Sequence, residues 1–148
     1  MSATSDPPRS GYRHFLSIPT RWMDNDNYGH VNNVTYYSYF DTVVNEHLIR
    51  VGGLDIGNDP VVGYVVDTRC RFRKPLTFPE TIDAGLRVTR LGATSVTYEI
   101  GIFRQGDDEP AATGQFVHVW VDRATQRPVP IPPRIRAVLQ PLAAESGT

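Results

Sequence analysis

Apolar side chains recur three or four apart between Val34 and Val51, so that Tyr36, Tyr37, Phe40, Val43, Val44, His47, Leu48 and Val51 share one face of an amphipathic helix. Asn32 or Asn33 can cap its start through a side-chain oxygen, and Gly52-Gly53 supplies a left-handed residue to close it. A helix over residues 33–51 would be roughly 28 Å long, enough to cross a small domain. Around it the pattern changes to alternation. Residues 14–21 read as a short first strand, with Pro19 marking an edge or an end. Residues 54–59 form a polar connection, and residues 61–73 then alternate most clearly. Val62, Tyr64, Val66, Thr68, Cys70 and Phe72 are expected to point inward there, opposite Val61, Gly63, Val65, Asp67, Arg69, Arg71 and Arg73.

Ile82, Ala84, Leu86 and Val88 mark a third strand, and Val96, Tyr98, Ile100 and Ile102 a fourth, joined as a hairpin. Residues 111–122 read as a fifth strand, where Phe116, Val117, Val119, Trp120 and Val121 are bulky enough to imply cover on both faces. The prolines of residues 127–133 enforce an extended arm, and residues 134–139 can form a short last helix. Strand, long helix, then four strands joined mainly by short turns does not fit alternating parallel units. The expected class is α+β: an antiparallel sheet of about five strands wrapped around one long central helix. Residues 12–142 are expected to form a single domain, residues 1–11 a disordered lead and residues 143–148 a frayed tail.

A chain of 148 residues with 40% hydrophobic positions can bury one core. Fifteen Lys and Arg against 16 Asp and Glu give no charge excess that would favour nucleic acid or an anionic membrane. The single cysteine, Cys70, rules out an intrachain disulfide and is expected to be a buried structural thiol. With neither an apolar leader nor a run of membrane-spanning length, the protein is expected to be cytoplasmic. His14, His47 and His118 are dispersed without metal-ligand spacing, and no glycine-rich phosphate loop opens a helix. Neither a metal nor a cofactor is expected.

The densest group of reactive residues is Asp24-Asn25-Asp26-Asn27-Tyr28-Gly29-His30, immediately before the long helix. By composition alone this is an ordinary turn-and-cap loop. Chemically it also sits where a helix N-terminus presents free N–H groups and the positive end of its dipole, which suits an oxyanion. Asp24 reads as a structural turn residue, so that Asp24→Asn should leave most turnover intact. Asn32 and Asn33 serve as caps, a role compatible with presenting those N–H groups.

Asp-x-Asp followed by Gly-His-Val-Asn-Asn and an aromatic-rich helix, here Asp24 to Phe40, resembles the hotdog-fold acyl thioesterases of the 4-hydroxybenzoyl-CoA thioesterase group. Arg71-Phe72-Arg73-Lys74-Pro75 and the proline-rich stretch over residues 127–132 extend the likeness over most of the chain. The resemblance implies a hotdog fold and hydrolysis of an acyl thioester, with Asp26 as general base or nucleophile. It also implies an oxyanion donor at the Asn33 backbone N–H and a site at a subunit interface of a homodimer or homotetramer. His30 matches a histidine of the plant acyl-carrier-protein thioesterases, whereas Tyr28 replaces their asparagine; catalysis and loop ordering are both open to it. Coenzyme A phosphates would need cations, for which Arg71, Arg73 and Lys74 are the candidates, with Arg69, Arg87 and Arg90 as further exposed arginines. The acyl carrier can be coenzyme A or acyl-carrier protein. Rival readings are a hydratase or dehydratase on the same fold and a non-catalytic acyl-CoA binder.

Overall fold

The computed structural model describes residues 7–143. Strand β1 (His14–Pro19) leads through the site loop to helix α1 (Asn33–Arg50), after which β2 (Val61–Phe72), β3 (Thr81–Leu91), β4 (Ser95–Arg104) and β5 (Ala112–Asp122) follow. A two-residue strand β6 (Arg127–Pro128) adds to β5, and helix α2 (Pro133–Leu139) follows, with a 3-10 turn (Gln140–Leu142) after it. The sheet runs in the order β1-β3-β4-β5-β2, and every neighbouring pair is antiparallel. Since α1 connects the two edge strands, it crosses the sheet from one side to the other, and the sheet curls around it. This is the hotdog arrangement.

The helix forms where the periodicity places it. The Asn32 side chain accepts the Val34 N–H at 2.9 Å, and Gly53 turns the chain beyond the last turn with φ of 68°. Tyr36, Phe40, Val43, Val44 and Leu48 are buried as expected, but Val51 is exposed and Tyr39 is buried instead. Against this face stand Ile82, Ala84, Leu86, Val96, Tyr98, Ile100 and Ile102, all without exposed surface. The closest approach is at Gly114 of β5: a Cβ there would lie 2.2 Å from the Phe40 ring, so the ring occupies space that only glycine leaves.

Strand β2 departs from its expected pattern. Only Val62 is buried, while Tyr64, Val66 and Phe72 are exposed and Cys70 is half-buried. Its alternation is real, but β2 is an edge strand with a register slip against β5 between Val65 and Asp67, so a single apolar face does not run its length. In β5 the inward set is Phe116, His118 and Trp120, with Val117 and Val119 only half-buried, so cover is much heavier on one face.

Within the expected disordered lead, residues 7–11 also depart from expectation. Residues 1–6 lie outside the described residues, but Arg9–Gly11 forms a 3-10 turn. Arg9 pairs with Asp83 at 2.8 Å and stacks over Phe15 and Phe103, which folds this segment onto the outer face of the sheet. A cation held by a carboxylate and two rings outweighs the composition of the stretch. At the other end Ala143 bridges Val88, and residues 144–148 of the expected tail lie outside the described residues. The extended arm is anchored by the Ile131 N–H on the Ala93 carbonyl, and α2 buries Ile135 and Leu139. No helix among the described residues is long and apolar enough to cross a membrane.

Candidate active site

The loop before α1 is held by two kinds of contact. The Asp26 N–H donates to the His30 carbonyl at 2.9 Å, and the Gly29 N–H returns to the Asp26 carbonyl at 3.0 Å, closing a tight turn. Asp26 Oδ1 accepts the Tyr28 N–H at 2.9 Å, which fixes the carboxylate's direction without burying it. The loop is tied to the body through Asn25, whose side chain contacts Thr77 and the Phe78 N–H, and through the Val31 N–H on the Leu76 carbonyl.

Asp24 is the buried hub of this region, with 2% of its surface exposed. Its carboxylate accepts the Arg21 N–H and the Tyr39 hydroxyl, each at 2.9 Å, and the Arg21 guanidinium at 2.9–3.0 Å. Burial pushes the Asp24 pKa up, but the hydrogen bonds from the Arg21 N–H, the Tyr39 hydroxyl and the Arg21 guanidinium outweigh it, and the net shift is downward. Burial, together with the bond to Asp24, raises the Tyr39 pKa. The Asp24 carbonyl also accepts the Asn32 N–H at 2.8 Å, so the same residue grips both the helix body and its cap. That is more than a turn residue does, and it removes Asp24→Asn as a harmless control.

Asn32 N–H and Val34 N–H are thus occupied, and Thr35 N–H bonds the Asn32 carbonyl. Asn33 N–H has no acceptor among the described residues. Asn33 lines a surface groove of about 460 Å³, together with Asp26, His30, Phe72, Arg73 and Lys74. The structure therefore brings together every site residue expected from the sequence except Arg71, which is exposed on β2 outside the groove lining. Lys74 is in addition paired with Asp107 at 3.2 Å. Of the further arginines, Arg69 bonds Gln115 and Arg87 pairs with Glu99, so neither is a free phosphate ligand. Arg90 is exposed on β3, away from the groove lining.

Sequence reasoning missed Tyr36, which also lines the groove. Its ring is buried edge-on against Phe72 at 5.1 Å, and burial pushes its hydroxyl pKa up to about 12, leaving a neutral donor in the wall. The helical period already pointed it inward; what it could not give was Phe72 as its neighbour. It also missed that His14 and His47 lie against each other, with centroids 4.4 Å apart and planes tilted by 47°, beside Glu46. No group of three or more His, Cys, Asp or Glu among the described residues is arranged to hold a metal ion.

A family profile for the thioesterase-like superfamily matches residues 20–139. The chain belongs to that superfamily. Its membership extends from the residue before the Arg21–Asp24 hub to the end of α2, and it makes thioester hydrolysis the class of activity. The crystal structure of the PA5185 protein from Pseudomonas aeruginosa superposes with a TM-score of 0.92 at 52% identity, covering 95% of this chain and 98% of that one. The structure of the gentisyl-coenzyme A thioesterase BH1999 shares the fold at a TM-score of 0.73 and 22% identity, covering 83% and 99% of the two chains. In sequence, the chloroplastic acyl-acyl carrier protein thioesterase ATL3 of Arabidopsis thaliana is 26% identical over 129 residues, covering 84% of this chain and 66% of that protein.

Proposed function

We propose that this protein hydrolyses acyl-coenzyme A thioesters, with Asp26 as the reacting carboxylate and the Asn33 N–H as the donor to the developing oxyanion. The observation that carries the reading is the groove: one half-buried carboxylate, one unpaired helix-terminal N–H and two cations line a single opening. As a general base, Asp26 takes a proton from water; the water oxygen adds to the carbonyl carbon, the C–S bond breaks, and the thiolate leaves to be protonated. As a nucleophile, its oxygen adds instead, the thiolate leaves, and water cleaves the resulting anhydride. Both routes place negative charge on the carbonyl oxygen, where the Asn33 N–H and the positive end of α1 can hold it. His30, exposed at the groove, either orders the loop through its carbonyl or assists proton transfer.

Arg73 and Lys74 are the groove cations that suit coenzyme A phosphates. The 26% identity to an acyl-carrier-protein thioesterase supports a protein-bound acyl group as the second substrate form. The active unit in this reading is a homodimer, or a homotetramer built from it, paired through β2. That edge carries exposed Tyr64, Val65, Val66 and Phe72, which a second copy would cover. A panel of acyl-CoA esters, with released coenzyme A followed by a thiol reagent, tests the reading. Thiol release by the wild type that collapses in Asp26→Asn supports it; tight acyl-CoA binding with no release would assign a binder instead.

A further inference from the structure

A second cavity, of about 170 Å³, lies at the opposite end of α1 from the groove. Leu48, Leu54, Ile56 and Val62 form the apolar part of its wall, Asn45 and the exposed Tyr64 and Arg123 complete the lining, and the one buried polar side chain there is His118 of β5, 2% exposed. The volume far exceeds the ~10–15 Å³ that seats one water, so the cavity can take several heavy atoms of a ligand. Gly63 keeps it open: a Cβ there would stand 3.0 Å from His118 Nδ1 and 3.1 Å from Cγ.

The tautomer of His118 follows from its neighbour. Nδ1 lies 3.3 Å from the Tyr98 hydroxyl, which is fully buried and has no other hydrogen-bond partner among the described residues. A hydroxyl sealed in the core must place its proton on an acceptor, so Tyr98 donates to Nδ1 and the ring proton resides on Nε2. Burial lowers the His118 pKa to about 4, which keeps the ring neutral. Nε2 has no protein partner among the described residues, yet it is not one of the polar atoms sealed from solvent. The cavity wall thus offers a neutral N–H donor that no described protein group occupies.

We propose that this cavity receives the far end of the acyl group and selects acyl groups bearing a neutral oxygen acceptor there, a hydroxyl or a keto oxygen. The proposal rests on the thioesterase reading and on pairing of β2 between copies. Within one chain the two openings stand roughly 22 Å apart along α1, counting 1.5 Å for each residue from Asn33 to Leu48. Strand β2, however, runs from the cavity at Val62 to the groove at Phe72. Antiparallel pairing of two such edges sets the groove of one copy beside the cavity of the other. A plain alkyl end would strip Nε2 of water and give it no acceptor, whereas a hydroxyl or keto oxygen would satisfy it. The cation in the lining, Arg123, is exposed and already donates to the Asp59 and Ile56 carbonyls, so a carboxylate at the buried ring would lose hydration beside an uncharged donor.

The test is calorimetric binding of non-hydrolysable acyl-coenzyme A thioethers of increasing chain length, each with and without a terminal hydroxyl. In the wild type, one chain length should favour the hydroxylated ligand by about tenfold or more, the scale of a hydrogen bond to a buried donor. His118→Phe should erase that preference. Should His118→Phe not fold, Ile56→Trp on the exposed rim fills the cavity, and it should weaken the long ligands while leaving the acetyl thioether unchanged. Equal affinity for each matched pair at every length, or a hydroxyl preference that survives Ile56→Trp, would overturn the proposal. Because binding is read without turnover, an enzyme that releases no thiol would count against the thioesterase reading alone.

Discussion

Replacing Asp24 by asparagine tests how the site is held. The wild-type carboxylate accepts two bonds at Oδ2, from the Arg21 N–H and the Tyr39 hydroxyl, and two at Oδ1 from the Arg21 guanidinium. An asparagine keeps one acceptor oxygen, and its NH₂ must face either the guanidinium or the first pair of donors. Breaking a buried ion pair costs about 3–5 kcal/mol, but the Arg21 side chain is 64% exposed and can return to water, so about 2–3 kcal/mol is expected. For a chain of this size that lowers Tm by about 6–9 °C. The damage should reach turnover, because Asp24 also grips Asn32, next to the proposed oxyanion donor; a displacement near 1 Å can cost about 10²-fold in kcat. Tyr39→Phe, which removes one of the four bonds, should fall between the two proteins in both measurements. The pH dependence has a definite sign. The folded pKa of Asp24 is depressed, so its contribution is complete above its unfolded value near ~4 and disappears as pH falls through the folded value. The Tm gap between wild type and Asp24→Asn should therefore close in that acid range. A variant with wild-type Tm and wild-type kcat at neutral pH would refute the hub.

Asp26→Asn should retain the fold and lose about 10²- to 10⁴-fold in kcat if Asp26 is a general base, and more if it is the nucleophile; thiol release at the parent rate would remove it from catalysis. Arg73→Ala combined with Lys74→Ala should raise KM for an acyl-CoA more than it lowers kcat, and an unchanged KM would place the phosphate site elsewhere. Val66→Asp puts a charge in the exposed middle of β2, 59% exposed in the single chain, and should shift sedimentation towards the 16.6 kDa monomer. A wild type that already sediments as a monomer at micromolar concentration would defeat β2 pairing altogether.

The elements that could be read from the sequence are those with one wet face and one dry one. The α1 pattern and the alternation of β3 and β4 predict their buried sets because α1 covers these strands on the inner side. Strand β2 has an equally clear pattern, yet most of its apolar positions are exposed. Alternation reports which residues could face a core, not whether a layer lies above them, and no described residue of the chain covers the far half of this edge. Asp26, His30, Asn33, Arg73 and Lys74 were legible as a group because the loop, the helix start and the end of β2 are each marked by local sequence. The tie between Asp24 and Tyr39 was not, since no periodicity encodes a hydrogen bond between polar groups fifteen residues apart. His118 carried a weak signal that the sequence reading did not use: it alternates with Phe116 and Trp120, and the structure buries all three on one face of β5.

Two carboxylates two residues apart have opposite surroundings, and the difference matches the proposed division between holding the site and reacting. A carboxylate that accepts four charged or polar donors is a poor base, because protonating it or moving its electrons towards a carbonyl forfeits those bonds. Asp24 is in that condition, and its depressed pKa expresses it. Asp26 accepts one backbone N–H through Oδ1, and no hydrogen bond among the described residues occupies Oδ2. It is aimed without being saturated. The loop between them is short enough that holding Asp24 against Tyr39 fixes where Asp26 can stand relative to the Asn33 N–H, while leaving its second oxygen for water or substrate. Under the proposed mechanism, exchanging the two environments by mutation would therefore fail twice: a carboxylate freed at position 24 would face the core, and one saturated at position 26 would have no oxygen left to react.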